Sequence, residues 1–354
     1  MRILAINPGS TSTKIAVYQE EEEVFRAVLE HSASDLAPFS TISSQYPMRR
    51  QAIYQILEEN QLLAQGFAAV VGRGGMLPPL QAGAYQVNQA MLDYLLSVPP
   101  EREHASNLGA LIAHDIAGSF QAPAYIYDCV AVDQFIDLAR FSGFLGISRS
   151  SFCHTLNSRA MAFKLCQRIG KAYDQLNFLI AHLGGGISLS VHNQGRMIDI
   201  VSDDEGPFSP ERCGRVPAKM LAAFCFHSGL SEKEIMQNIR GKGGFYALMR
   251  TTDAREIEEL AQRGNEKARL CYEAMAYQIA KGLGELATTV NGRVDHIILT
   301  GGLAKSSYLT GMIIPRVSFI APVEVMPGEN ELESLALGVL RVLRGQEGSH
   351  HFGT

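Results

Sequence analysis

One strand plan occurs twice in this chain, and that repetition limits the possible folds more than any other feature. At the start, Ile3–Ile6, Ile15–Tyr18 and Val24–Leu29 read as three short strands, separated by NPGSTST and by the acidic EEEE at 20–23. From Phe178 the stretch FLIAHLGGGISLSVHNQGRMIDIV repeats it: an apolar strand, a glycine turn, the strand ISLSVH, the turn NQG and the strand RMIDIV. Gly9 and Gly184 are 175 positions apart. A second pair of landmarks, AYIYD ending at Asp128 and HIILTGG reaching Gly301, is offset by 173. Two landmarks with nearly one offset predict a duplicated domain. A turn of Gly9, Ser10, Thr11, Ser12 and Thr13 is either an ordinary hairpin or a phosphate cradle, because small residues let backbone N–H groups approach an anion. It is not a P-loop, since the G-x-x-x-x-G-K-[ST] spacing is absent and no helix pattern follows.

Helical periodicity fills the intervals. Gln51–Leu63, Asn107–Ala117 and Lys267–Val290 each carry a helical apolar stripe, and Gly292 stands just past the last as a stop. Each half is therefore a three-stranded meander followed by alternating helices and strands, an α/β unit. A length of 354 residues fits two such domains. We expect the boundary near Gly143–Ser151, where FSGFLGISRSS interrupts the periodicity, giving domains 1–147 and 148–331. Ligands in open α/β sheets bind beyond the strand carboxyl ends. The two glycine turns are thus expected to face one interdomain cleft and grip a polyphosphate from both sides.

Composition narrows the function. A net charge of −5 argues against an extended nucleic-acid surface. Six scattered cysteines without a C-x-x-C pair argue against structural zinc or a disulfide framework. No run approaches the ~18 apolar residues of a membrane span, and MRILAINPGS is too short an apolar run for a signal peptide, so a cytoplasmic protein is expected.

Six motifs narrow it further: NPGSTSTK (7–14), VVGRGGML (70–77), HASNLG (104–109), AHLGGG (181–186), EGPFSPER (205–212) and LTGG (299–302). Together they resemble the butyrate kinase branch of the carboxylate kinases, within the acetate and sugar kinase, heat-shock protein and actin superfamily. The likeness runs over roughly residues 1 to 345. It implies two duplicated ribonuclease H-like domains, mixed five-stranded sheets with helices, around an interdomain ATP cleft. It also implies a C-terminal helix, 332–344, packing back on the first domain. The implied reaction is reversible transfer of the ATP γ-phosphate to butyrate, with isobutyrate, propionate or acetate as the alternative acceptors. The implied cofactor is Mg²⁺, and the implied assembly is a homodimer or higher homo-oligomer. A non-catalytic nucleotide sensor or a sugar kinase of the same fold are the rivals; a sugar kinase needs a base for its hydroxyl, for which Asp128 is the only evident choice.

The resemblance assigns roles residue by residue. Arg212, closing SPER, matches the active-site arginine, whose planar fork suits a transferring phosphoryl group. His154 in SFCHTLN and His104 in REHASNL match the two histidines of the site, and His182 points toward the same mouth. Arg73 is either a partner of the substrate carboxylate or a residue of a structural turn. Asp128 ends an apolar strand, where a carboxylate needs a cation, hydrogen bonds or solvent, and Mg²⁺ is the expected partner. Glu331 resembles the second acidic residue, with Glu329 an almost equal fit. Asn7, Ser10, Ser12 and Lys14 are expected to line the first phosphate turn, and Gly184, Gly185 and Gly186 the second. Gly301 and Gly302 are expected to let adenosine approach the backbone. Two residues depart from the family pattern: Asp204 where glycine is expected, and Arg215 where a small residue is usual. They leave the preferred acyl chain open.

Overall fold

The structure, a computed structural model describing residues 1–353, divides into two compact units, Met1–Asp133 with Asn330–Thr354, and Gln134–Glu329. The division falls ahead of the glycine-rich stretch at 143–151.

The first unit is built on a seven-stranded sheet. Strands β1 (Arg2–Pro8), β2 (Ser12–Gln19) and β3 (Glu22–Glu30) form the antiparallel meander. The strand β4 (Ala69–Gly72) pairs parallel to β1, and β6 (Ala124–Tyr127) parallel to β4; β5 (Ala84–Gln86) and the C-terminal β12 (Ser349–His351) extend that edge. The order is β12-β5-β6-β4-β1-β2-β3, so this sheet has seven strands where five were expected. The two added strands are only three residues each, too short to leave a periodic signal. The helix Glu331–Leu343 packs on β1, β2, β4 and β6 through buried Leu335, Ala336 and Val339.

The second unit carries the five-stranded sheet β11-β10-β7-β8-β9. Its meander is β7 (Asn177–Leu183), β8 (Ile187–Asn193) and β9 (Arg196–Val201); β10 (His296–Thr300) and then β11 (Val323–Val325) add in parallel. Gln194 and Gly195, both at positive φ, make the tight β8–β9 turn. The long helix Glu266–Ala287 buries Tyr272, Met275, Ile279 and Leu283 in this unit's main core.

The two sheets share the order meander, first parallel strand, second parallel strand. That equates β4 with β10 and β6 with β11. The expected echo between AYIYD and HIILTGG therefore pairs strands of different position, and its matching offset is a coincidence of insert lengths. The counterpart of LTGG is VVGRGG, which spans the carboxyl end of β4.

Candidate active site

In the first unit β1, β4 and β6 are parallel neighbours, so Asn7, Arg73 and Asp128 stand at the carboxyl edge of one sheet. Glu331, the first residue of its helix, receives Asn7 Nδ2 on one carboxylate oxygen and Arg73 Nη1 on the other. Arg73 is aimed by glycines. A Cβ on Gly72 would overlap the Gly109 backbone, one on Gly109 would overlap the Arg73 backbone, and one on Gly75 would overlap Asn107. The GRGG and SNLG motifs are thus two backbones in direct contact. His104 lies near Arg73; its Nδ1 accepts the Ser106 amide at 3.2 Å, and burial first, then the Arg73 charge, lower its pKa.

Asp128 sits in the left-handed region, φ 42°, and is buried. Its Oδ1 accepts the Gly83 amide at 2.8 Å while its own amide donates to the Gly83 carbonyl at 3.1 Å. Asn7 and Lys14 are cross-strand partners and so share a sheet face, as does Ser12 two residues before Lys14. Ser10 and Lys14 are exposed.

The second unit gathers its residues at the corresponding edge. His154 and His182 stack with ring centroids 3.8 Å apart and planes 9° apart. His154 Nδ1 meets Ser188 Oγ at 2.9 Å. Asn157 Nδ2 donates to the Gly328 carbonyl at 3.1 Å, which fixes its amide so that Oδ1 faces His182 Nδ1 at 2.9 Å. The other nitrogen of His182 stands 3.2 Å from a Glu329 carboxylate oxygen. The hydrogen bond from His182, then the charges of His182 and His154 and the Gly302 amide, hold Glu329 down at about 2 against the pull of burial. Glu329 and Glu331 thus serve different groups: Glu329 the histidine pair, Glu331 the Asn7–Arg73 pair.

Arg212 lies directly over Gly186, where any Cβ would overlap its guanidinium. Its Nη1 pairs with Asp203, and Arg240 Nη2 reaches the same carboxylate at 3.3 Å, leaving one positive charge in excess. Burial, then the Arg240 charge, push Arg212 down to about 10, and its Nε is buried without a partner among the described residues. Gly184 has little room, a Cβ there meeting Glu329 Oε1 at 3.0 Å. Gly301, at φ 87°, is pressed onto the Leu183 backbone, whereas Gly302 faces open space.

Asp203 and Arg240 were missed by sequence reasoning. Asp203 stands next to the singled-out Asp204 without a motif of its own, and nothing local marks Arg240. Of the two departures, Asp204 accepts from Ser202 Oγ, and exposed Arg215 bonds the Glu205 carbonyl and pairs with Glu285 at 2.9 Å. They do not pair with each other.

Both units carry the mixed sheets of the actin-like ATPase fold. The structure superposes on the Porphyromonas gingivalis acetate kinase with a TM-score of 0.79, at 19% identity over 97% of this chain and 99% of that one. A propionate kinase from Francisella tularensis gives 0.74, at 16% identity over 95% and 98%. Residues 138–322 match the Acetokinase family. Two Clostridium acetobutylicum proteins, butyrate kinase 2 and butyrate kinase 1, are 44% and 45% identical over 348 residues, 98% of this chain and of each relative. The chain belongs to the acetokinase family and is a phosphotransferase of the carboxylate kinase class. No helix among the described residues is long and apolar enough to cross a membrane.

Proposed function

We propose that this protein transfers phosphate reversibly between ATP and butyrate, giving butanoyl phosphate and ADP. The observation that carries the reading is identity of 44–45% to two butyrate kinases over nearly the full length of all three chains. A butyrate oxygen attacks the γ-phosphorus, the bond to the ADP oxygen breaks, and its electron pair leaves with ADP. Butyrate is already ionised at neutral pH, so no general base is needed and the histidines act as donors and positioning groups. Phosphoryl transfer asks mainly for alignment and positive charge. Arg212, backed by Arg240, supplies that charge to the transferring group. His154 offers a ring N–H, held in orientation by Ser188 and by stacking on His182, whose own nitrogens are engaged by Asn157 and Glu329. Arg73 and His104 serve the substrate carboxylate, and the Ser10–Lys14 and Gly184–Gly186 turns take the nucleotide phosphates.

The donor set fits a magnesium ion that arrives with ATP. Among the described residues no three acidic, histidine or cysteine groups form a complete metal cage, and Mg²⁺ needs only one or two carboxylates beside phosphate oxygens and water. Glu331 with the Asn7 amide, and Asp128, are the oxygen donors that would hold it; the ion would offset charge on the β- and γ-phosphates.

Initial rates of acyl hydroxamate formation with acetate, propionate, butyrate, isobutyrate and valerate test the reading. Butyrate should give the highest kcat/KM. A higher value with a branched or shorter acid would reassign the acceptor, and no product with any of them would end the kinase reading.

Asp128 is tested separately. Asn tolerates the left-handed backbone and keeps an acceptor for the Gly83 amide, so Asp128→Asn removes charge more than structure. We expect Tm within a few degrees of the parent, with kcat lowered by about 10-fold or more, the scale on which losing a group that supports a metal site costs activity. A fallen Tm with kcat and Mg²⁺ dependence unchanged would make Asp128 a turn residue only.

A further inference from the structure

Arg49 lies on the helix Tyr46–Glu59, far in sequence from every motif above, and its side chain is fully buried. A buried guanidinium is ordinarily matched by a carboxylate. Here it is not. Nη1 donates to the Gly9 carbonyl at 2.7 Å, the Ser12 carbonyl at 3.1 Å and Thr13 Oγ1 at 3.2 Å. Nη2 donates to the Ser10 carbonyl at 3.0 Å and to Gln45 Oε1 at 2.8 Å, and Nε to Gln45 Oε1 at 3.1 Å. All five acceptors are neutral, and three of them are carbonyls of one turn.

The peptide plane turns this contact into a statement about the opposite face. In a trans peptide the C=O of one residue and the N–H of the next point in opposite directions. With the Gly9, Ser10 and Ser12 carbonyls drawn to Arg49, the N–H groups of Ser10, Thr11 and Thr13 point away from it. Thr13 N–H lies in the β2–β3 ladder, where Thr13 is paired with Leu29. The amides of Ser10 and Thr11 are left facing outward from an exposed turn, the arrangement of a backbone anion nest. Thr13 Oγ1, accepting from Arg49, is also 2.9 Å from His31 Nε2, and burial followed by the Arg49 charge lowers the His31 pKa. Because Thr13 Oγ1 accepts from Arg49, its own hydrogen is the one placed to donate to His31 Nε2.

We propose that Arg49 is the positioning residue of the first phosphate turn: it gathers the turn's carbonyls beneath, turns the Ser10 and Thr11 amides toward the nucleotide phosphates, and adds an uncompensated positive charge behind them. This rests on the ATP reading given above. Arg49 does not touch the phosphates, so its effect should grow with the number of phosphates and be absent from adenosine and butyrate.

The test compares wild type, Arg49→Ala and Arg49→Lys for Tm, for Mg²⁺-supported binding of ATP, AMP and adenosine, and for KM of butyrate. In wild type ATP should bind much more tightly than adenosine. Arg49→Ala should weaken ATP by about 10-fold or more, the range for losing hydrogen bonds to a charged group, while adenosine stays within about twofold. Butyrate KM should hold, and added guanidinium ion should restore part of the ATP affinity. Arg49→Lys keeps the charge but not the fan of donors, and should fall between. If Arg49→Ala does not fold, Arg49→Lys decides: weaker ATP with unchanged adenosine supports the assignment, and unchanged ATP overturns it. Equal losses for ATP, adenosine and butyrate would reduce Arg49 to a structural residue. A wild type that binds ATP and adenosine equally would instead remove the phosphate turn itself, and the ATP reading with it.

Discussion

Replacing Arg212 by alanine should lower kcat on the order of 10³-fold or more, the range seen when a transition-state arginine is missing, while the KM for butyrate moves little. Its charge is set against the phosphoryl group in flight, where negative charge spreads over the equatorial oxygens, more than against bound butyrate. An interaction stronger in the transition state than in the ground state appears in kcat. The surroundings sharpen the expectation. Arg212 and Arg240 share the single carboxylate of Asp203, so the alanine variant leaves one arginine and one acid, and the local excess of positive charge is gone. Arg212→Lys should recover only part, because an ammonium cannot reproduce the planar fork. Steady-state kinetics with hydroxylamine trapping checks all three proteins. If Arg212→Ala instead raises the butyrate KM with kcat intact, Arg212 is a substrate clamp, and Arg73 becomes the better candidate for the catalytic charge.

The second large effect should come from a residue with no side chain. In Gly186→Ala the new Cβ would fall on the Arg212 guanidinium, the mobile end of a long side chain, so the arginine moves and the backbone need not. Displacing a catalytic group by about 1 Å can cost on the order of 10²-fold, and that loss in kcat is expected here with a Tm close to the parent's. Gly185→Ala is the comparison: its Cβ would meet only the Glu211 carboxylate, at 3.6 Å, an ordinary contact. It should cost far less. Equal losses in the two variants would mean that the glycine turn acts through phosphate access and not through Arg212. An intact Gly186→Ala enzyme would show that Arg212 works equally well elsewhere.

The AHLGGG motif therefore has two distinct physical explanations. A Cβ at Gly184 would crowd the Glu329–His182 pair, and one at Gly186 would displace the Arg212 guanidinium. Gly185 is not crowded, and its carbonyl accepts from Ser209 Oγ at 2.6 Å, tying the turn to the SPER segment that carries Arg212. The first turn reaches a similar outcome by other means: buried Arg49 takes its carbonyls from below, and Gly9 has only ordinary contacts.

The local elements are legible in the sequence alone. Alternating and helical apolar patterns and glycine punctuation marked β1–β3, β7–β9, the long helix 266–287 and both glycine turns, because those signals are written within ten or twenty neighbouring residues. Motif likeness carried the family. What the motifs press against depends on packing between distant segments. Asn7 and Glu331 meet across 324 positions of chain, Arg73 and Glu331 across 258, and Arg49 reaches the first turn across about 40. Likewise, Asp203 and Arg240 become visible as partners of Arg212 only once a carboxylate is seen between two guanidiniums. The shared offset of AYIYD and HIILTGG misled because spacing along the chain counts inserts as well as strands, whereas sheet order follows hydrogen bonding. Periodicity reports which face of an element is buried; which distant residue buries it depends on packing, and a one-dimensional pattern does not hold that information.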